Sequence, residues 1–156
     1  MSGLIAPPTL WLRLWRGAVT LSPFEVWLLG ECVRHLPTDF HPALREQLAG
    51  SNLVQRDPEW RELRFYRIVR GRVDRSALPL LPVRPGEVKL HSLAARLPDR
   101  AEPLHAVLWA VDRRVAMLNF EPGIRAYAHL AAATVDGVRQ SWRSNVVSDG
   151  GPWVEP

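Results

Sequence analysis

The chain has 156 residues, of which 47% are hydrophobic and 23% are charged, with a formal net charge of +4. This length and balance are typical of one globular domain with its own core and exclude disordered and collagen-like proteins. No apolar run approaches the roughly 18 residues that a membrane-spanning helix needs. The single cysteine, Cys32, excludes an internal disulfide and a zinc site with paired thiolates.

The basic side chains are nearly all arginine, with nineteen arginines and one lysine, Lys89. Arginine binds carboxylates through a planar fork and stacks on aromatic rings, which suits contact with an acidic partner. The first residues do not resemble a secretory signal, since Met1 to Ala6 has no basic residue and Pro7-Pro8 breaks the first apolar run. We expect a cytoplasmic location, no membrane partner, no cofactor and no metal.

The first periodic segment is Leu10 to Arg16, preceded by a flexible lead-in over residues 1–9. Its leucines alternate with Trp11, Arg13 and Trp15. Period two predicts a strand with leucines on one face and a tryptophan and arginine stripe on the other. A short amphipathic helix is the alternative.

A helix start is marked by Ser22-Pro23-Phe24-Glu25, which combines an N-cap serine, a proline in the first turn and a glutamate three residues after the cap. The helix is expected to end near Leu36, before Pro37. A second helix is expected after Asp39 or His41, with Gly50 as its stop. Two helices joined by a short loop would form a helical hairpin.

Strands dominate the remainder. Trp60 to Val69 predicts the first of them, with a turn at Arg70-Gly71-Arg72. The prolines at 79, 82 and 85 predict an extended connection. Glu87 to Leu97 alternates again, which places His91 on the same face as Glu87 and Lys89.

The stretch Leu104 to Phe120 carries two apolar runs around Asp112-Arg113-Arg114. It predicts the central hairpin of an antiparallel sheet, because both faces of its first run are apolar. Residues 124–147 are ambiguous: Ile124 to Ala133 favours a helix, whereas Val135-Asp136-Gly137-Val138 resembles a hairpin turn and favours two strands. We prefer the strands.

The resulting fold class is α+β: an N-terminal helical hairpin packed on a twisted antiparallel sheet of four to six strands. We expect a single domain over residues 1–147 and a flexible tail over residues 148–156, which are polar and rich in glycine and proline.

No catalytic signature is present. The five histidines show no helical metal-ligand pair, and none of the common nucleotide-binding or hydrolase motifs occurs. His91 and His105 lie on strands predicted to be neighbours, so they could meet across the ladder, with Asp112 or Glu121 nearby. The usual role of such a pair is packing, and we do not assign it catalysis.

Non-enzymatic recognition of another protein is therefore the leading hypothesis, since tryptophan and arginine are the residue types most enriched at binding hot spots. In size and layout the chain resembles the immunity proteins that neutralise bacterial toxins, a resemblance that implies a protein partner and is carried by no motif. The candidate contact residues come from the arginine- and tryptophan-bearing segments: Trp11, Arg13, Trp15, Trp60, Arg64 and Arg67.

Two alternatives stay open. The first is a small enzyme or ligand-binding protein with a pocket between the helices and the concave face of the sheet, lined by Trp27, Phe65, His91, His105, Trp109 and Met117. The second is binding of single-stranded nucleic acid through the interleaved arginines and aromatics, which Asp57, Glu59 and Glu62 weaken. The central hairpin needs a cover on both faces, and the second cover is expected from the Leu10 to Arg16 segment, the C-terminal tail or a second copy of the chain, which makes a homodimer a further candidate.

Overall fold

The structure is a computed structural model that describes residues 21–140. In this range it contains two α-helices, α1 (Pro23–His35) and α2 (His41–Gly50), and two short 3-10 helices, Thr38–Phe40 and Arg125–Tyr127. The strands are β1 (Leu53–Arg56), β2 (Glu62–Tyr66), β3 (Ile68–Val69), β4 (Arg72–Val73), β5 (Glu87–Arg96), β6 (Leu104–Val111), β7 (Arg114–Glu121) and β8 (Thr134–Gln140).

Six of these strands form one antiparallel sheet in the order β1-β2-β7-β6-β5-β8. The other two, β3 and β4, pair with each other in a separate hairpin. The α+β class is therefore confirmed. Within residues 21–140 the strands number eight, six in the main sheet and two beside it, which exceeds the predicted four to six.

Both helices begin where the sequence predicts. At the start of α1, the Ser22 hydroxyl accepts a hydrogen bond from Glu25 N at 3.3 Å, and the Glu25 carboxylate accepts one from Ser22 N at 2.7 Å. This reciprocal capping box satisfies two of the backbone donors that a helix start leaves unpaired. Pro23 and Pro42 lie in the first turns, where a missing N–H costs nothing.

The predicted central hairpin is confirmed. β6 and β7 are the two middle strands of the sheet, and only Asp112 and Arg113 connect them. Both connecting residues have positive φ, 47° and 65°. Two consecutive left-handed residues match the right-handed twist of the flanking strands, as in a type I′ turn.

Three bulges interrupt the ladders of the central strands. Lys89 and His91 lie opposite the adjacent residues Trp109 and Leu108, so Leu90 is an extra residue in β5. Similar shifts occur between β6 and β7 and between β5 and β8. The bulge turns His91 to the inner face, where it is buried, so the predicted placement of His91 beside Lys89 was wrong.

The C-terminal part also differs from the prediction. Asp136-Gly137 does not close a hairpin, because both residues lie within the single strand β8. Asp136 is the extra residue of a bulge there, and its carboxylate pairs with Arg96 on β5 at 2.9 Å. Asp-Gly is typical of tight turns, but here it forms a β-bulge, which needs the same local freedom of the backbone. The predicted hairpin turn at Asp136-Gly137 was wrong, and residues 141–147, the rest of that prediction, lie outside the described residues.

The segment Trp60 to Val69 divides into β2 and β3, which belong to different sheets. β1 was not predicted because it has only four residues. Asn52 joins these parts: its side chain accepts a hydrogen bond from Ile68 N at 2.7 Å and donates one to Ile68 O at 2.8 Å. The predicted turn at Arg70-Gly71 is confirmed by positive φ at both residues.

One face of the main sheet, which we call the inner face, carries the core. Its buried side chains come from both helices and from five strands of the sheet. They include Phe24, Leu28, Leu44, Leu63, Phe65, Leu93, Leu108, Leu118 and Phe120. At roughly 1.5 to 3 kcal/mol for each fully buried large apolar side chain, this layer supplies the main force that holds the fold together.

The predicted strand Leu10 to Arg16 and the predicted tail over residues 148–156 lie outside the described residues. Among residues 21–140, no helix is long and apolar enough to span a bilayer.

Candidate functional site

The face of the sheet opposite the core, which we call the outer face, presents side chains in three rows that cross neighbouring strands. The aromatic ladder consists of Arg64, Met117, Trp109 and Lys89, each the pairing partner of the next. The middle ladder consists of Glu62, Asn119, Val107 and Ser92. The end ladder consists of Glu121, His105 and Ala94.

Apolar side chains occupy the centre of the outer face. Val107, Trp109 and Met117 are half-buried, and none of the three belongs to the hydrophobic clusters formed by the described core residues. Neighbouring side chains within the sheet account for part of their burial, since adjacent pairs lie about 5 Å apart. Large contiguous apolar patches on a protein surface mark contact sites, which makes this centre a candidate contact surface.

Two cations flank the aromatic centre. Lys89 places its Nζ 5.6 Å from the centre of the Trp109 ring, within the range of a cation–π contact. At the other end of the ladder, Arg64 is bonded to Glu62, and this hydrogen bond raises the pKa of the guanidinium above its usual value. The Arg64 side chain keeps 51% of its surface exposed, so it can reach a partner.

The opposite corner of the outer face is acidic and concave. A cavity of about 420 Å³ is lined by Asp57, Arg61, Glu62, His105, Val107, Asn119, Phe120 and Glu121. Asp57 shapes this corner, because its carboxylate accepts hydrogen bonds from the backbone N–H groups of Arg61 and Glu62 at 2.6 and 2.8 Å. The corner therefore offers mainly hydrogen-bond acceptors and negative charge.

A buried ion pair connects the helices to the edge of the sheet near this corner. Arg56 donates two hydrogen bonds to the Glu25 carboxylate, both at 2.6 Å, and its guanidinium lies 4.9 Å from the centre of the Trp60 ring. Glu25 is fully buried and also completes the capping box of α1. A bidentate pair in which both carboxylate oxygens accept hydrogen bonds is a structural contact, and it joins the start of α1 to the end of β1.

The inner face holds a titratable group without a polar partner. His91 is fully buried, and neither ring nitrogen has a hydrogen-bond partner among the described residues. Burial lowers the pKa of His91 to about 4, with the nearby His35 ring, 6.4 Å away, as the second cause. Burial also raises the pKa of the Cys32 thiol to about 12. Both groups are therefore neutral at physiological pH and shielded from solvent.

The predicted contact residues occupy different places. Trp11, Arg13 and Trp15 lie outside the described residues. Trp60 packs against the core and Arg56, while Arg64 lies exposed on the outer face. Arg67 follows β2 and lies in the link to β3. Of the six, Arg64 alone is found on the outer face among residues 21–140, and the binding role of all six stays a prediction.

The predicted pocket residues are divided between the two faces. Phe65 and His91 are buried on the inner face. His105, Trp109 and Met117 lie on the outer face. The remaining member, Trp27, stacks on Phe24 with ring centres 5.6 Å apart and packs against the core. The structure therefore groups three of the six, and it corrects the expected meeting of His91 with His105, whose strand partner is Ala94.

Sequence reasoning missed Glu62, Asn119, Lys89 and Ser92 as members of one surface. Each lies on the outer side of its strand, and only the strand order brings them onto one face. Alternation within the strands was a usable signal for their orientation. The register between β2 and β7, whose paired residues lie more than fifty positions apart in the chain, was not readable from spacing.

No cluster of three or more histidine, cysteine, aspartate or glutamate side chains suited to a metal ion occurs among residues 21–140. The chain matches no protein-family model, no curated protein and no solved structure. Its function must therefore be inferred from its own surfaces.

Proposed function

We propose that the protein is a non-enzymatic recognition module that binds another protein through the outer face of its sheet. The observation that carries this proposal is the half-buried apolar centre, Val107, Trp109 and Met117, on the face opposite the core. In this proposal the paired helices cover the inner face, and among residues 21–140 the outer face is the one left for a partner. Aromatic and methionine side chains are enriched at the centres of protein interfaces.

The surrounding charges support the same proposal. Lys89 and Arg64 stand at the two ends of the aromatic ladder, and carboxylates line the opposite corner. A ring of polar groups around an apolar centre is the usual anatomy of a specific interface, in which the rim selects and orients the partner. The cationic end of the face fits an acidic patch on the partner. The cytoplasm is the proposed setting.

A small-ligand site is the second candidate function, and the acidic cavity favours it. Its volume of about 420 Å³ is within the range of ligand pockets, roughly 300 to 1,000 Å³. His105 and Glu121 are pairing partners on neighbouring strands, and both line the cavity. A thermal-shift screen against cationic metabolites tests this candidate: a ligand that raises the melting temperature of the protein but not of Glu121→Gln would establish it.

Affinity capture with matched variants tests the main proposal. The protein, Met117→Glu and Leu80→Glu are immobilised and exposed to lysate of the source cells. Leu80 is the control because it is an apolar side chain, 43% exposed, in the connection between β4 and β5. A buried charge at an interface centre weakens binding strongly.

We expect a stoichiometric partner on the native protein and on Leu80→Glu, and its loss from Met117→Glu. Equal recovery on all three proteins would place the binding surface elsewhere. Recovery of no partner from lysates in which the protein is expressed would refute binding of a different protein.

A further inference from the structure

The excess positive charge of the chain is concentrated in two segments. Residues 67–87 contain the β3–β4 hairpin and the connection to β5, and residues 112–114 contain the turn between β6 and β7. Together they hold seven arginines and three acidic residues, which gives a formal charge of +4. The whole chain has the same net charge, so its other residues are neutral in sum. We call these two segments the arginine end.

Backbone contacts join the two segments. Arg114 Nε donates a hydrogen bond to Arg75 O at 2.9 Å, and the Arg75 guanidinium donates in return to the carbonyl of Val115, the residue after Arg114. Arg113 Nε donates to Leu81 O at 3.0 Å. A carbonyl acceptor fixes the direction of a guanidinium and leaves its charge in place. The three arginine side chains are therefore positioned as cations.

These cations lack a carboxylate partner among residues 21–140. Neither Arg75 nor Arg113 nor Arg114 forms an ion pair there. The Asp112 carboxylate accepts a hydrogen bond from the backbone N–H of Gly86 at 2.9 Å instead. Burial, together with the charge of Arg114, lowers the pKa of the Arg75 guanidinium from its usual value. An anion bound to both side chains would relieve this repulsion between like charges.

The two neighbouring guanidinium groups keep donors for such an anion. Each guanidinium has five N–H donors, and the hydrogen bonds to carbonyl groups use one donor of Arg75 and two of Arg114. Arginine binds phosphate through paired, parallel hydrogen bonds. We propose that the arginine end binds the phosphate backbone of a single-stranded nucleic acid, with Arg75 and Arg114 as neighbouring phosphate contacts. This site is independent of protein binding at the outer face, because none of its arginines belongs to the three ladders.

The spread of the arginines favours a polyanion over a small phosphate compound. Arg70, in the turn between β3 and β4, and Arg72, on β4, are exposed. Arg72 lies three residues before Arg75, so the basic surface extends from the Arg75 and Arg114 pair into the hairpin. A nucleic-acid strand carries a negative charge at every nucleotide, so successive phosphates can meet successive arginines. Protein surfaces mix both signs of charge and match such a series less well.

Fluorescence anisotropy of the full chain with a labelled, mixed-sequence DNA single strand of about 20 nucleotides tests the inference. Loss of one phosphate contact reduces the slope of log Kd against log salt concentration by about 0.7 and raises Kd about fivefold at about 0.1 M salt. We expect these changes from Arg72→Gln, Arg75→Gln and Arg114→Gln. The double variant Arg75→Gln with Arg114→Gln should raise Kd about twenty-fivefold.

The matched control is Arg100→Gln. Arg100 is exposed in the loop between β5 and β6, and the length of β6 separates this loop from the turn at Asp112. The substitution removes the same charge as Arg114→Gln, so it should keep the native slope and a Kd within about twofold of the native value. Circular dichroism and urea unfolding establish that each variant is folded. If Arg75→Gln does not fold, Arg72→Gln, which changes an exposed side chain, decides the test.

Three results would overturn the inference. The native chain could fail to bind the strand at about 50 mM salt, or Arg100→Gln could weaken binding as much as Arg114→Gln. A polyglutamate peptide could also bind as tightly as the strand and depend on the same arginines, which would assign the site to an acidic protein segment. Capture of a protein partner that depends on Met117 is a separate readout, so the failure of either proposal leaves the other standing.

Discussion

Acid should destabilise this fold through His91. Burial, with a contribution from His35, lowers the pKa of this imidazole from 6.5 to about 4 in the folded protein. Below about pH 6.5 the unfolded chain takes up a proton at this position while the folded chain stays neutral until about pH 4. The unfolded state therefore binds more protons in this window, and the free energy of unfolding falls as the pH falls.

The size of the effect follows from the shift. A displacement of about 2.5 pKa units, at about 1.36 kcal/mol each, is worth about 3 kcal/mol once the pH is below both values. About 2 kcal/mol of this is lost between about pH 7 and about pH 5. Such a loss is a large part of the stability of an ordinary domain, roughly 5 to 15 kcal/mol.

Urea unfolding followed by tryptophan fluorescence measures the effect in the native protein and in His91→Leu. Leucine has a similar volume, does not titrate and removes two nitrogens that lack partners among the described residues. Between about pH 7 and about pH 5, the free energy of unfolding should fall by about 2 kcal/mol more in the native protein than in His91→Leu. At neutral pH it should be more stable by about 1 kcal/mol, since an unsatisfied polar group is gone.

The matched control is His105→Gln, which changes an exposed histidine on the neighbouring strand. It should follow the pH dependence of the native protein. An identical pH dependence in the native protein and His91→Leu would refute the reasoning. An NMR titration that placed the pKa of His91 near 6.5 would refute it as well.

Three further substitutions or probes test the interior. Arg56→Met leaves the buried Glu25 carboxylate without its ion pair and should lower the free energy of unfolding in urea by about 3 kcal/mol or more. The double variant with Glu25→Gln should recover part of this loss. Gln47→Leu should cost about 3 kcal/mol by thermal or urea unfolding, because the Gln47 side chain bonds the backbone groups of Pro79, Arg113 and Val115. The Cys32 thiol is buried and has a pKa of about 12, so it should resist iodoacetamide in the folded protein and react within minutes in urea. Rapid labelling of the native chain would contradict its burial.

Local chemistry made part of the fold predictable. The capping box at Ser22 and the two-residue turn at Asp112 depend on neighbours within a few residues, and both occur where the sequence indicates. The central position of β6 was also readable, because residues on both sides of this strand are apolar and must be covered.

Longer-range features were not predictable in the same way. The bulge at Leu90 turns His91 into the core, and Asp136 serves as a bulge in β8, although strict alternation and turn composition indicated otherwise. A bulge depends on the register with a neighbouring strand, and that register is a property of the assembled sheet. The outer face, which combines residues from β2, β5, β6 and β7, was hidden for the same reason.

Site-specific photo-crosslinking in the source cells tests the central claim, protein binding through the outer face, most directly. A benzophenone side chain replaces Ser92 in the middle ladder or, as a control, Glu102 in the loop between β5 and β6. On irradiation, the account predicts a discrete protein adduct from position 92 and none from position 102. No adduct from position 92, or equal adducts from both positions, would contradict it.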